Sequence, residues 1–70
     1  MNASIVLASH LSDIQVELSI LKNPDYTNSE ELSKVINTRL NFLKYLNNIL
    51  DGDFNQKIDA DELYFTFLKD

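Results

Sequence analysis

Apolar residues in the first third of the chain recur at helical spacing. Five of them are separated by alternating intervals of four and three residues, which makes one apolar seam along a helix. These residues are Leu7, Leu11, Ile14, Leu18 and Leu21. The pair Asn23-Pro24 ends the helix, because the residue before a proline is driven out of the α region. The pattern predicts a first helix from about Ser4 to Lys22.

A second and broader apolar face follows this proline. No glycine or proline interrupts residues 28–50, so the pattern predicts one helix of about six turns. Thr27 with Glu30, or Asn28 with Glu31, fits a capping box at its start. The short connection predicts an antiparallel hairpin of the two helices. The seam of the first helix is then expected to pack on Leu32, Ile36, Leu43 and Leu50.

The last eleven or so residues predict a third helix, from about Asp59 to Lys69, that is apolar almost all round. Such a short helix is not stable alone. One hairpin surface cannot easily cover two apolar faces, so part of this helix is expected to contact a second chain. The expected contacts, with a homodimer partner or another protein, are Phe65, Phe67 and Leu68. The predicted fold is therefore all-α, an antiparallel helical hairpin followed by a short third helix, in a single small domain over residues 1–70.

Composition narrows the function classes. The chain has no cysteine, which excludes disulfides and thiolate metal sites, and His10 is its only histidine. A net charge of −5 argues against nucleic acid as a partner. Most of the excess acid lies in residues 51–70, which carry six acids against two bases. No segment approaches the roughly 20 consecutive apolar residues of a membrane span, and the N-terminus lacks the basic region of a signal peptide. A cytoplasmic location is expected.

Residues 51–62 carry the one pattern that suggests a specific chemistry. Oxygen-bearing side chains stand at the first, third, fifth, ninth and twelfth places of this segment. They are Asp51, Asp53, Asn55, Asp59 and Glu62. A tight loop with donors at alternate residues can point them toward one centre. Calcium takes about six to eight oxygen ligands, so this spacing suits a calcium ion.

The segment resembles the loop of an EF-hand, and the resemblance covers about residues 40–70. It implies the five side chains above as ligands, together with the backbone carbonyl of Lys57. The sixth place, where the family has glycine, is Gln56. A non-glycine residue with positive φ costs about 1–2 kcal/mol there, so the implied calcium binding is weak. EF-hands pair through a β-bridge at the eighth place, here Ile58, and no second loop is present in the sequence.

Much of the loop also has a purely structural explanation. Gly52 can end the second helix, and Asp59 with Glu62 can form a capping box for the third. Ile58 and Leu63 fit a hydrophobic staple across that cap. Two interpretations stay open: an interaction module with a calcium-binding loop, or a metal-free acidic adaptor or inhibitor that binds a partner protein. The bias toward Asn, Ile, Lys and Leu is common in proteins from AT-rich genomes, including phages that encode such inhibitors.

An enzyme is not expected. Ser9 and Ser12 lie near His10 in the sequence, but no third orienting group and no oxyanion loop accompany them. The single glycine, Gly52, excludes a glycine-rich phosphate loop.

Overall fold

The computed structural model describes residues 1–69, and within that range it contains three α-helices. They are α1 (Ala3–Leu21), α2 (Ser29–Ile49) and α3 (Ala60–Lys69). The all-α fold predicted from the sequence is confirmed, and each helix begins and ends within one residue of its predicted limits. The molecule is elongated, measuring 41 × 23 × 17 Å.

The two long helices begin differently. Asn2 caps α1, because its side-chain oxygen accepts hydrogen bonds from the Ser4 amide at 2.9 Å and the Ser4 hydroxyl at 2.6 Å. Asn28 occupies the same position before α2, yet its side chain makes no capping hydrogen bond. Its φ of −100° and ψ of 38° lie outside the extended region from which a side chain reaches the first amides. The capping boxes predicted with Glu30 or Glu31 are therefore not formed.

Contacts between α1 and α2 define an antiparallel hairpin. His10 contacts Phe42, and Glu17, two turns further along α1, binds Arg39, nearly one turn earlier in α2. The buried core lies mainly between these two helices, with Phe42 and Leu46 fully enclosed. Its members are Ala3, Val6, Ile14, Ile36, Phe42, Leu43, Leu46 and Leu50.

The predicted seam of α1 is wrong at two positions. Leu11 and Leu18 are 46% and 45% exposed, while His10 and Glu17 lie at the helix interface instead. The physical reason is on α2, where Arg39 follows Ile36 on the face that packs against α1. A guanidinium at such an interface needs acceptors, so α1 is rotated to bring Glu17 toward it, and this moves the two leucines outward.

Within residues 1–69, α1 is the one helix long and apolar enough to span a membrane by length and composition. The sequence analysis expected no such segment, and α1 corrects that expectation as far as length and composition are concerned. The core helix of a soluble protein or a signal sequence can have the same length and apolar composition. These two properties are therefore weak evidence for a membrane span. Asp13 and Glu17 of α1 are ion-paired with Arg39 in the folded hairpin.

Candidate functional site

The predicted calcium loop begins with the C-terminal cap of α2. The Gly52 amide donates to the Asn47 carbonyl at 3.0 Å, and the Asp51 amide donates to the Asn48 carbonyl at 3.3 Å. This pair of bonds is a Schellman motif, in which the residue after the C-cap is left-handed. That residue is Asp51, with φ of 53°, and Gly52 follows at 79°. The first place of the loop therefore ends a helix.

The sixth place, Gln56, closes the loop over the same helix end. Its side-chain amide donates to the Leu50 carbonyl at 3.3 Å, and its own carbonyl accepts from the Ala3 amide at 2.8 Å. Among residues 1–69, Asp51 is the one non-glycine residue with positive φ, so Gln56 does not adopt the left-handed conformation of an EF-hand glycine.

The eighth place of the loop pairs with the N-terminus of the same chain. The Ile58 amide donates to the Met1 carbonyl at 2.7 Å, and the Met1 amino group donates to the Ile58 carbonyl at 3.0 Å. Asn2 and Lys57 form the corresponding antiparallel bridge. Both backbone groups of Ile58 are therefore bonded within the chain and are not free to form the β-bridge by which EF-hands pair.

The predicted ligands do not converge on one centre. Asp51, Asp53, Asn55, Lys57, Asp59 and Glu62 are all exposed. The Asp53 carboxylate accepts from the Asn55 amide at 3.0 Å, and the Asp59 carboxylate accepts from the Glu62 amide at 3.2 Å, as a helix cap. In the part of the chain that the structure describes, no three acidic or histidine side chains gather where they could hold a metal. Calcium binding would require these side chains to move from the positions described here.

A polar cluster between α1 and α2 is the feature that sequence reasoning missed. Arg39 donates to both carboxylate oxygens of Glu17, with Nε–Oε1 at 2.8 Å and Nη2–Oε2 at 3.0 Å, and lies 3.4 Å from Asp13. The hydrogen bond to Glu17 raises the pKa of Arg39. The available signal was spacing, because His10, Ile14, Glu17 and Leu21 repeat at 4-3-4 intervals on one side of the helix.

His10 completes this cluster. Arg39 Nη1 lies 3.3 Å from His10 Nδ1. An arginine can only donate, so the contact suits a neutral ring whose Nδ1 carries a lone pair. Burial, and next the charge of Arg39, lower the pKa of His10, while Asp13 and Glu17 act in the opposite direction. His10 is partly buried, at the edge of the interface between α1 and α2.

Aromatic rings from α2 and α3 pack beside this cluster. Phe42 is at the centre, with ring centroids of Tyr64 at 4.9 Å, His10 at 5.3 Å and Phe67 at 5.4 Å. Phe67 also lies 5.5 Å from Tyr45. Its assignment to an intermolecular surface is therefore corrected, because its ring packs within the molecule. Phe65 and Leu68 remain 66% and 55% exposed, as an interaction surface requires.

No protein-family model, curated protein or solved structure matches this chain.

Proposed function

We propose that this chain is a non-enzymatic, all-α module that works through protein–protein contacts. The observation that carries the proposal is the balance of apolar side chains. Eight apolar residues are buried, whereas eleven large ones remain exposed in the part of the chain described here. A large contiguous apolar patch on a protein surface often marks an interaction site, whereas single exposed apolar residues are normal. The hydrogen bond of His10 goes to Arg39 rather than to a serine hydroxyl, which supports the absence of a nucleophile pair.

The best-defined contact surface of this module lies on α3. Phe65 and Leu68 are about one turn apart and project away from the ring cluster around Phe42. Asp61 and Glu62 lie in the first turn of the same helix and are exposed. An apolar pair beside acidic side chains is complementary to a protein with an apolar pocket rimmed by lysine or arginine. We propose such a protein as the partner of this surface.

Photocrosslinking tests this proposal. A benzophenone amino acid placed at residue 65 or 68 should give one discrete adduct in the cells that naturally produce this chain. The same group at Val16 should give none. The protein identified in the adduct should then bind the purified chain, and rising salt should weaken binding because exposed charges are screened.

A double substitution and a matched control define the contact. Phe65→Gln with Leu68→Gln should weaken binding at least about ten-fold. Thr66→Ala, an exposed change between them, should leave it unaltered. The proposal fails if positions 65 and 68 give no discrete adduct, or if the double variant binds like the control.

Calcium binding at residues 51–62 stays a prediction supported by ligand spacing alone. Titration calorimetry should show weak binding, with Kd of roughly 10⁻⁵–10⁻³ M. Glu62→Gln should abolish the signal, and Gln56→Gly should strengthen it by allowing a left-handed sixth residue. Absence of heat and of amide shifts at millimolar calcium would select the metal-free adaptor.

A further inference from the structure

The α1–α2 hairpin has two long faces, and α3 covers one of them. On the covered side, His10, Arg39 and Phe42 meet Tyr64 of α3 in one shallow pocket. On the other side lies an open groove of about 450 Å³, lined by Leu7, Leu40, Leu43 and Phe54 together with polar residues of α2. No helix of residues 1–69 lies over this groove.

Leucines extend this groove into a longer apolar surface. Leu11 and Leu18 follow Leu7 at intervals of four and seven residues, so they lie in the same row along α1. Leu11, Leu18 and Leu40 are each more than two-fifths exposed. The open face is defined here as Leu7, Leu11, Leu18, Leu40 and Phe54.

The size and shape of the molecule indicate how much surface is left uncovered. The chain exposes 5088 Å², whereas a compact monomer of 8.1 kDa exposes roughly 4500 Å². Its radius of gyration is 13.4 Å, against about 11 Å for a compact chain of this length. The excess of roughly 600 Å² approaches the 800 Å² or so that each partner contributes to a standard interface. Two copies that each buried this excess would form an interface at the low end of the standard size range.

Charge restricts where a second copy of this chain can bind. The chain carries a net charge of −5, so two copies repel each other through most of their surface. The groove is an exception, because Lys44 is its only ionisable lining residue and three asparagines supply the remaining polar groups. Asp13 and Glu17, the acids within α1, face Arg39 on the covered side. The groove is therefore a region without acidic lining residues, where two copies can approach.

We propose that the open face is a two-fold symmetric interface between two copies of this chain. Leu11 and Leu18 of one protomer enter the groove beside Leu40 and Phe54 of its partner, and the symmetric contact repeats. The two hairpins then form a four-helix arrangement, with each α3 on the outside. This inference rests on the proposed role in protein contacts, but it uses a surface separate from Phe65 and Leu68.

Sedimentation equilibrium over micromolar to submillimolar concentrations tests the interface. The wild-type chain should approach twice its monomer mass of 8.1 kDa. Leu11→Gln with Leu40→Gln should weaken the dimer at least about ten-fold. Its helicity by circular dichroism should be unchanged, because both side chains are exposed. The matched control, Ile5→Gln with Val16→Gln, removes two still more exposed apolar residues of α1 and should dimerise like the wild type.

Four outcomes would overturn the inference. A wild-type chain that stays monomeric throughout has no such interface, and equal loss in the control would mean nonspecific association. A monomer that instead binds phosphatidylcholine vesicles would assign the apolar surface to a membrane. Dissociation by Phe65→Gln with Leu68→Gln alone would move the dimer to α3, which removes this interface but keeps the proposed protein-contact function. In contrast, loss of crosslinking at α3 with an intact dimer would remove the proposed contact of α3 and keep this interface.

Discussion

The two faces of the α1–α2 hairpin are built from different chemistry. The covered face combines aromatic rings around Phe42 with the ion cluster of Arg39. These groups have directional requirements, and the Phe42–Tyr64 pair is edge-to-face, with ring planes at 86°. The open face is mainly aliphatic, with four leucines and one aromatic ring, Phe54, beside asparagines and Lys44. Aliphatic contacts have no preferred direction, so a surface of this kind can be buried by another chain without exact registration of hydrogen bonds.

This difference assigns separate roles to the two faces. The covered face fixes the position of α3 and the rotation of α1, because its rings and charges make several specific contacts between the helices. The open face adds little to the fold while it stays exposed, since apolar surface contributes only when it leaves water. Substitutions on the covered face should therefore change stability, whereas those on the open face should change association.

Phe42→Ala against Leu40→Ala gives the largest expected contrast. Phe42 is 1% exposed and contacts rings from α1, α2 and α3, so its truncation should cost about 3–5 kcal/mol. That loss approaches the whole stability of a domain this small, roughly 4–10 kcal/mol. Leu40→Ala should cost less than about 1 kcal/mol in the monomer. Urea unfolding, followed by circular dichroism at protein concentrations where the chain is monomeric, measures both losses of stability. Similar costs would show that the two faces are not distinct in this way.

Phe67→Ala against Phe65→Ala applies the same contrast within α3. Phe67 packs on Phe42 and Tyr45, so its removal should destabilise the molecule by about 2 kcal/mol and loosen α3. Phe65 is mostly exposed, and its removal should change stability by no more than about 0.5 kcal/mol. Thermal unfolding of the two variants separates these cases. If Phe65→Ala is the more destabilising change, α3 is rotated relative to the arrangement described here.

The ion cluster should show a smaller coupling. A double-mutant cycle with Glu17→Gln and Arg39→Gln should give an interaction energy of about 1 kcal/mol. The pair is bidentate but partly exposed, with side-chain exposures of 13% for Glu17 and 25% for Arg39, so solvent screens it. Asp13→Asn provides the control, because Asp13 is more exposed and its coupling to Arg39 should be less than half as large. Equal coupling for both acids would mean that Arg39 is not oriented by Glu17.

The sequence predicted the helices well because their signals are local. Pro24 ends one helix, and the uninterrupted residues 28–50 define another. Gly52 was expected to end α2, and it is left-handed there, although Asp51 takes the position directly after the cap. The cap of α3 by Asp59 was also predicted, and its bond to the Glu62 amide is present.

The rotation of α1 could not be predicted in the same way, because it depends on a contact between distant residues. Leu11 and Leu18 fit the apolar period better than His10 and Glu17 do. Only the position of Arg39 on α2 makes the less apolar side of α1 the interior one. The use of Met1 as the pairing partner of Ile58 was inaccessible for the same reason, since 57 residues separate the two. The calcium loop remains a prediction from residue spacing. Spacing alone cannot distinguish carboxylates that converge on one metal ion from carboxylates that each cap a turn or a helix.

The smallest expected effect is a pH dependence from His10 on the covered face. Its pKa in the folded chain is lowered from 6.5, first by burial and second by Arg39, so the folded state favours the neutral ring. The unfolded chain then binds more protons as the pH falls below about 6.5, and stability must decline in that direction. At pH values above about 7 both states are neutral at His10, and its contribution is complete. Asp13 and Glu17 oppose the shift without cancelling it.

Urea unfolding of the wild type and His10→Gln between pH 5.5 and 8 isolates this effect, because free carboxyl groups titrate at about pH 4. The wild type should lose more stability than the variant as the pH falls below 6.5. The open face contains no histidine, so Leu40→Ala should follow the wild-type profile. A wild type that gains stability relative to His10→Gln at low pH would mean that a protonated ring is held by Glu17 or Asp13. The covered face would then favour the charged ring, in conflict with the donor–acceptor arrangement between Arg39 and Nδ1.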